Sequence, residues 1–157
     1  MKTTNNMHNF GFFRVASVVP ELRISDISYN VKEIIRLSEE VHKNGTDLIV
    51  FPELCITGYS CGDLFFQAYL LNSSIDALCE LVLASVKISA IIAVGLPLQK
   101  DGRLYNTCAI ICKGKILGVI PKSYLPNSNE FYEARWFTSG RGIKQSEIEI
   151  NNEKIPF

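Results

Sequence analysis

Charge of one sign is what this sequence most lacks: sixteen Lys and Arg stand against sixteen Asp and Glu, so the chain is formally neutral. A neutral chain has no basic footprint for a phosphate backbone, so no nucleic acid is expected as a partner. It offers no basic cluster to attract anionic lipid either. No segment approaches the roughly 20 apolar residues that span a bilayer, so no membrane is expected. A signal peptide is also missing: Lys2 is followed by polar residues 3–9, and the next apolar stretch is broken by Arg14. The expectation is a cytoplasmic protein.

CxxC pairs are absent. The five cysteines, Cys55, Cys61, Cys79, Cys108 and Cys112, are odd in number. Without a secretory signal they argue against a disulfide framework or a zinc site. Cys108 and Cys112 would share one face of a strand at a separation of about 13 Å, too far to chelate one ion, so no metal site is expected. They read as small buried hydrophobes in a reducing compartment. A glycine-rich phosphate loop is likewise absent.

What is present is enough for one domain. The chain has 157 residues, 47% of them hydrophobic, which allows a core without staples. Residues 12–19 form an apolar run closed by Pro20, a buried strand. Residues 25–43 switch to helical spacing, with Ser25 as N-cap and Gly45 as the stop. Residues 47–51 predict a second buried strand ended by Pro52. Asp63 is placed to cap a short helix through Phe66, and a helix follows over about 68–86. A third strand, 88–96, is closed by Pro97. Turns at 101–102 and 113–114 separate strands at 105–112 and 116–120. Residues 121–142 read as a long loop with one helical turn. Residues 147–150 and 154–157 predict a final hairpin, whose return strand is an unusual place for a domain to end. This order predicts an α/β layered fold with a mixed sheet.

Two residues stand where chemistry collects in such folds, just past the carboxyl ends of apolar strands. Glu53 follows Phe51-Pro52, and a carboxylate half withdrawn from water there suits proton transfer. Taken alone, it better suits an exposed loop glutamate. Lys122 follows Pro121 and could hold an oxyanion as a fixed positive charge, or could be a solvated surface lysine. The stretch 124–137, YLPNSNEFYEARWF, is too long and aromatic for a simple connector; it reads as a functional loop, an interface or a patch covering the sheet. Arg135 within it could stack on a nucleobase, a reading the neutral charge disfavours.

Together, FPEL at 51–54, TGYSCGDLF at 57–65, LYNTCAIICKGKILGVIPKSYLPN at 104–127 and EFYEARWF at 130–137 resemble the nitrilase superfamily of carbon–nitrogen hydrolases. Within it they are most similar to the N-terminal glutaminase domains of glutamine-dependent NAD+ synthetases. The string PKxYLPNxxEFYExRxF is the discriminating part. The resemblance implies part of a nitrilase-like αββα sandwich with mixed sheets, and a Glu–Lys–Cys triad. Glu53 matches the general base and Lys122 the lysine that steadies the tetrahedral oxyanion. Glu133 matches a second glutamate that helps position the site, and Phe131 lies where the family lines its glutamine pocket. The implied substrate is glutamine, cleaved through a thioester with loss of ammonia. The domain itself needs no cofactor; ATP and Mg belong to the synthetase domain, the implied partner in the parent protein. A homo-oligomer is expected.

Two departures accompany the resemblance. Ser128 stands after LPN where the family usually has a tyrosine, which removes an aromatic wall. None of the five cysteines matches the family's nucleophile. Cys55 is expected to point away from Glu53 by alternation along an extended chain, and Cys108 and Cys112 lie in a core strand. The chain therefore reads as a glutaminase domain cut before its nucleophile and inactive by itself. A stand-alone pseudoenzyme or interaction module, and a fragment of a plain amidase or nitrilase, are the alternatives.

Overall fold

The computed structural model describes residues 7–144 and 146–157. Strands β1 (Val15–Ser17), β2 (Leu48–Val50), β3 (Ile91–Lys100), β4 (Arg103–Cys112) and β5 (Lys115–Pro121) form one sheet in that order. The first three are parallel and the last three antiparallel to their neighbours. Helices α1 (Ile27–His42) and α2 (Ala68–Ala84) supply the crossovers that parallel pairing requires. A separate hairpin, β6 (Glu147–Ile150) and β7 (Glu153–Pro156), lies against β5 and buries Ile148, Ile150 and Ile155. Its turn places Asn151 and Asn152 at φ 51 and 63, the left-handed pair of a tight hairpin.

Helix α1 forms as its spacing predicts: Ile27, Val31, Ile34 and Ser38 are buried, while Arg36 pairs with Glu33 and Glu40 on the outer face. Its cap is Asp26, whose carboxylate accepts from Tyr29 N at 3.1 Å, one residue later than the expected Ser25. Ser25 instead adopts φ 59 and donates its N–H to Thr57 O. Helix α2 and the turn after it, Ala68–Lys87, are long and apolar enough to cross a bilayer by length and composition, with mean hydropathy 1.3, contrary to the sequence reading. Here Leu70, Leu71, Ala77, Leu78 and Leu81 are buried, and the helix packs on α1 and β3.

Three other expectations change. The first strand spans only Val15–Ser17 and is largely exposed rather than buried: it is the edge of the sheet, and β2 beside it offers three residues to pair with. Asp63 does not cap the 3-10 turn Gly62–Phe66 but lies inside it. Strand β3 does not stop before Pro97 but runs through it to Lys100. Pairing with β2 ends at Ala93, so the missing Pro97 N–H faces no neighbouring strand. On its other side Pro97 sits opposite Asn106, whose carbonyl points away to Lys122 N, so this is a non-hydrogen-bonded pair.

Candidate active site

Glu53 is delivered by a close backbone crossing. Beyond β2, Phe51 N still donates to Ala93 O (2.9 Å), and residues 53–57 then turn sharply. Leu54, fully buried, takes φ 52, and its carbonyl accepts from Thr57 N and Gly58 N. The turn lies directly on Gly95 of β3, where a Cβ would stand 2.3 Å from Leu54 N and 2.6 Å from Glu53 Cα. A residue with any side chain at 95 would displace this turn.

Lys122 extends the pairing of β5 with β4 by one residue, its N–H donating to Asn106 O at 2.8 Å. Its carbonyl accepts from Gly140 N, which pins the far side of the long loop. Glu133 opens a short 3-10 turn (Glu133–Arg135) within that loop and is buried.

These three side chains meet. Lys122 Nζ donates to Glu53 Oε2 at 2.8 Å and to both oxygens of Glu133 at 2.9 and 3.0 Å. Tyr59 Oη donates to Glu133 Oε1 at 2.8 Å, and Asn106 Nδ2 to Glu53 Oε2 at 3.3 Å. Exposure grades along the row: the side chain of Glu133 is 2% exposed, Lys122 27% and Glu53 44%. Glu133 is thus enclosed by its partners, whereas Glu53 is open to an incoming molecule.

Burial pulls the Lys122 pKa down, but its bonds to Glu53 and Glu133 outweigh that, and the net direction is upward. Lys122 is therefore a persistent cation rather than a base or nucleophile. The Tyr59 phenol is also raised, by burial first and then by the Glu133 carboxylate it bonds. It remains a neutral donor.

Glu53, Lys122 and Asn106 open onto a cavity of about 340 Å³, walled also by Phe51, Cys108 and Ile120. Phe131 and Ser128 are not among its walls. They lie exposed in the long loop, joined by a turn in which Phe131 N donates to Ser128 O. Arg135 is engaged: its guanidinium forks onto Asp63 with two bonds of 2.9 Å, beside the Trp136 indole N–H. Those bonds, Arg135 first and Trp136 second, hold the Asp63 carboxyl well below the usual carboxylate range. Phe65 packs edge-on to Trp136 and tilted against Phe137, so the 3-10 turn carrying Asp63 braces the loop carrying Glu133.

Among the described residues Cys55 is buried, with its thiol pushed up to about 12 chiefly by burial, and bonded to Gly95 O. The reason it avoids Glu53 is not strand alternation, since residues two apart on a strand share a face. The tight turn separates them. Tyr59 and Asn106 were not singled out in the sequence. Asn106 carried one signal, an amide in an otherwise apolar strand; Tyr59 had only its nearness to the Glu53 turn.

Residues 14–152 match the carbon-nitrogen hydrolase family. Over 152 residues the chain is 38% identical to the glutamine-dependent NAD(+) synthetase of Mycobacterium leprae, covering 97% of this chain and 22% of that protein. The crystal structure of a glutamine-dependent NAD(+) synthetase from Cytophaga hutchinsonii superposes with a TM-score of 0.86 at 30% identity, over 92% of this chain and 25% of that one. An amidase from Nesterenkonia sp. shares the fold, with a TM-score of 0.69 at 17% identity, over 92% of this chain and 54% of its own. The chain thus spans about a quarter of the length of the synthetases it resembles, and with its nitrilase-like fold it belongs to the carbon-nitrogen hydrolase family.

Proposed function

We propose that this chain is the acid/base and oxyanion-holding part of a glutaminase domain in a cytoplasmic glutamine-dependent NAD+ synthetase. It would supply ammonia to an ATP- and Mg-dependent synthetase domain. The observation that carries this reading is the Lys122 ammonium clamped between an open Glu53 and an enclosed Glu133.

In this reading Glu53 takes the proton of an attacking thiol as its sulfur bonds to the glutamine amide carbon. Lys122 holds the resulting oxyanion, and it needs no reorganisation because Glu133 already fixes it. Glu53 returns the proton to the departing nitrogen, the C–N bond breaks, and ammonia leaves behind a thioester. Glu53 then takes a proton from water, which attacks the thioester and releases glutamate and the thiol. Glu133 and Tyr59 position the lysine, while Phe131 and position 128 border the route by which glutamine enters. In this reading the thiol is supplied from outside residues 1–157: Cys55 is buried within the Glu53 turn, and Cys108, although it walls the cavity, is held within strand β4 with its thiol pKa raised by burial.

The test is to follow the coding sequence in frame beyond Phe157 and assay the complete product. It should release ammonia from glutamine, and Glu53→Gln should lower kcat by about 1000-fold or more. Turnover of simple amides but not glutamine would make it a plain amidase instead. A stop codon at that point would make the chain a binding module.

A further inference from the structure

Asn106 is joined to both reactive side chains. It sits in the middle of the sheet on β4, 2% exposed. Its backbone carbonyl accepts from Lys122 N at 2.8 Å. Its side-chain nitrogen donates to Glu53 Oε2 at 3.3 Å, the same oxygen that accepts from Lys122 Nζ at 2.8 Å. The bonds close a ring: Asn106 main chain, Lys122 main chain, Lys122 ammonium, Glu53 carboxylate, Asn106 amide.

We propose that Asn106 is a positioning residue that sets the Glu53–Lys122 geometry and holds Glu53 Oε2, leaving Oε1 to move protons. The proposal rests on the glutaminase reading above. Its logic is geometric. Glu53 rides on a turn and Lys122 on a strand end, two elements with no direct sheet pairing; among the described residues Asn106 is bonded to both. A carboxylate only accepts, so the amide must present its NH2 group. Aspartate has the same shape but would set an acceptor against an acceptor. Serine would stop short of the carboxylate, and leucine would fill the space without a donor. Without the amide, Glu53 keeps one bond, to Lys122 Nζ, and can pivot about it, while Lys122 stays fixed by Glu133 and its backbone.

The experiment compares Asn106→Asp and Asn106→Ser in the complete enzyme. Glutamine-fed ammonia release is measured across substrate concentrations, with ammonium-fed synthesis as a control for folding. Asn106→Asp should lower kcat for glutamine by about 100-fold, the scale expected for a misplaced reacting group, with KM within about twofold. Asn106→Ser should lower it by about tenfold with KM again unchanged. A raised KM with kcat retained would make Asn106 a substrate-binding residue and overturn the proposal, as would two variants with unchanged kinetics. If Asn106→Asp also loses ammonium-fed synthesis, Asn106→Ser, which adds neither charge nor bulk, decides alone. A complete wild-type enzyme that releases no ammonia from glutamine would sink the functional reading itself, a different result from normal turnover in the variants.

Discussion

Gly95 lies so close beneath the Glu53–Leu54 peptide that an added Cβ would stand 2.3 Å from Leu54 N. The atoms it would meet are backbone, which cannot rotate aside. Gly95→Ala should therefore destabilise the chain by about 3 kcal/mol, the upper end of the range for overpacking. Urea unfolding of the two proteins checks this. An unchanged midpoint would mean that the turn is free to lift off β3.

Cys55 should be chemically inert. It is buried and its thiol is pushed up to about 12, so almost none is thiolate at pH 8. Iodoacetamide should modify it at least about 100-fold more slowly in the folded chain than in urea, as read by peptide mass spectrometry. Rapid labelling of the folded chain would restore Cys55 as a candidate nucleophile.

Alkaline pH should loosen the Glu133 cluster. The folded pKa values of Lys122 and Tyr59 are both raised above their ordinary values. The stability they contribute is fully present below the unfolded values, about 10.4 for lysine and about 10 for tyrosine, and is lost as pH climbs through the folded ones. The urea midpoint should hold through neutral pH and fall above about pH 10. Tyr59→Phe removes one of the two groups, so its decline should be shallower than that of the wild type. Parallel curves would assign the alkaline loss to other groups.

The pocket rim offers a gain-of-function test of the glutaminase reading. Position 128 is turned against Phe131 by the bond from Phe131 N to Ser128 O. In the complete enzyme, Ser128→Tyr should lower the KM for glutamine by about fivefold, the worth of one aromatic contact, with little change in kcat. An unaltered KM would place both residues outside the glutamine route.

Glu53 and Lys122 drew notice because each ends an apolar run, where a sheet exposes polar groups, but it was the motifs around them, FPEL and PKSYLPN, that set them apart from ordinary surface charges. Their meeting was not legible: they are 69 positions apart, and Tyr59 is 74 from Glu133. Those contacts depend on how strands stack, which residue spacing does not encode. Asn106 was out of place as an amide within a strand, but its partner Glu53 is 53 positions away and could not be named for the same reason. The early stop assigned before Pro97 had another cause. Proline ends a strand only where its N–H is needed, and that depended on β2 being short.

That shortness has a further consequence. Past Ala93 the ribbon of β3 and β4 overhangs β2, leaving one margin of β3 unpaired from residue 96 to 100. This margin is covered rather than open, since Leu96, Pro97 and Leu98 are buried. A buried backbone N–H without a partner is costly, and proline has none to satisfy. The residue that looked like the end of a strand is thus what lets the strand continue under cover, with no amide stranded beside the Glu53 turn.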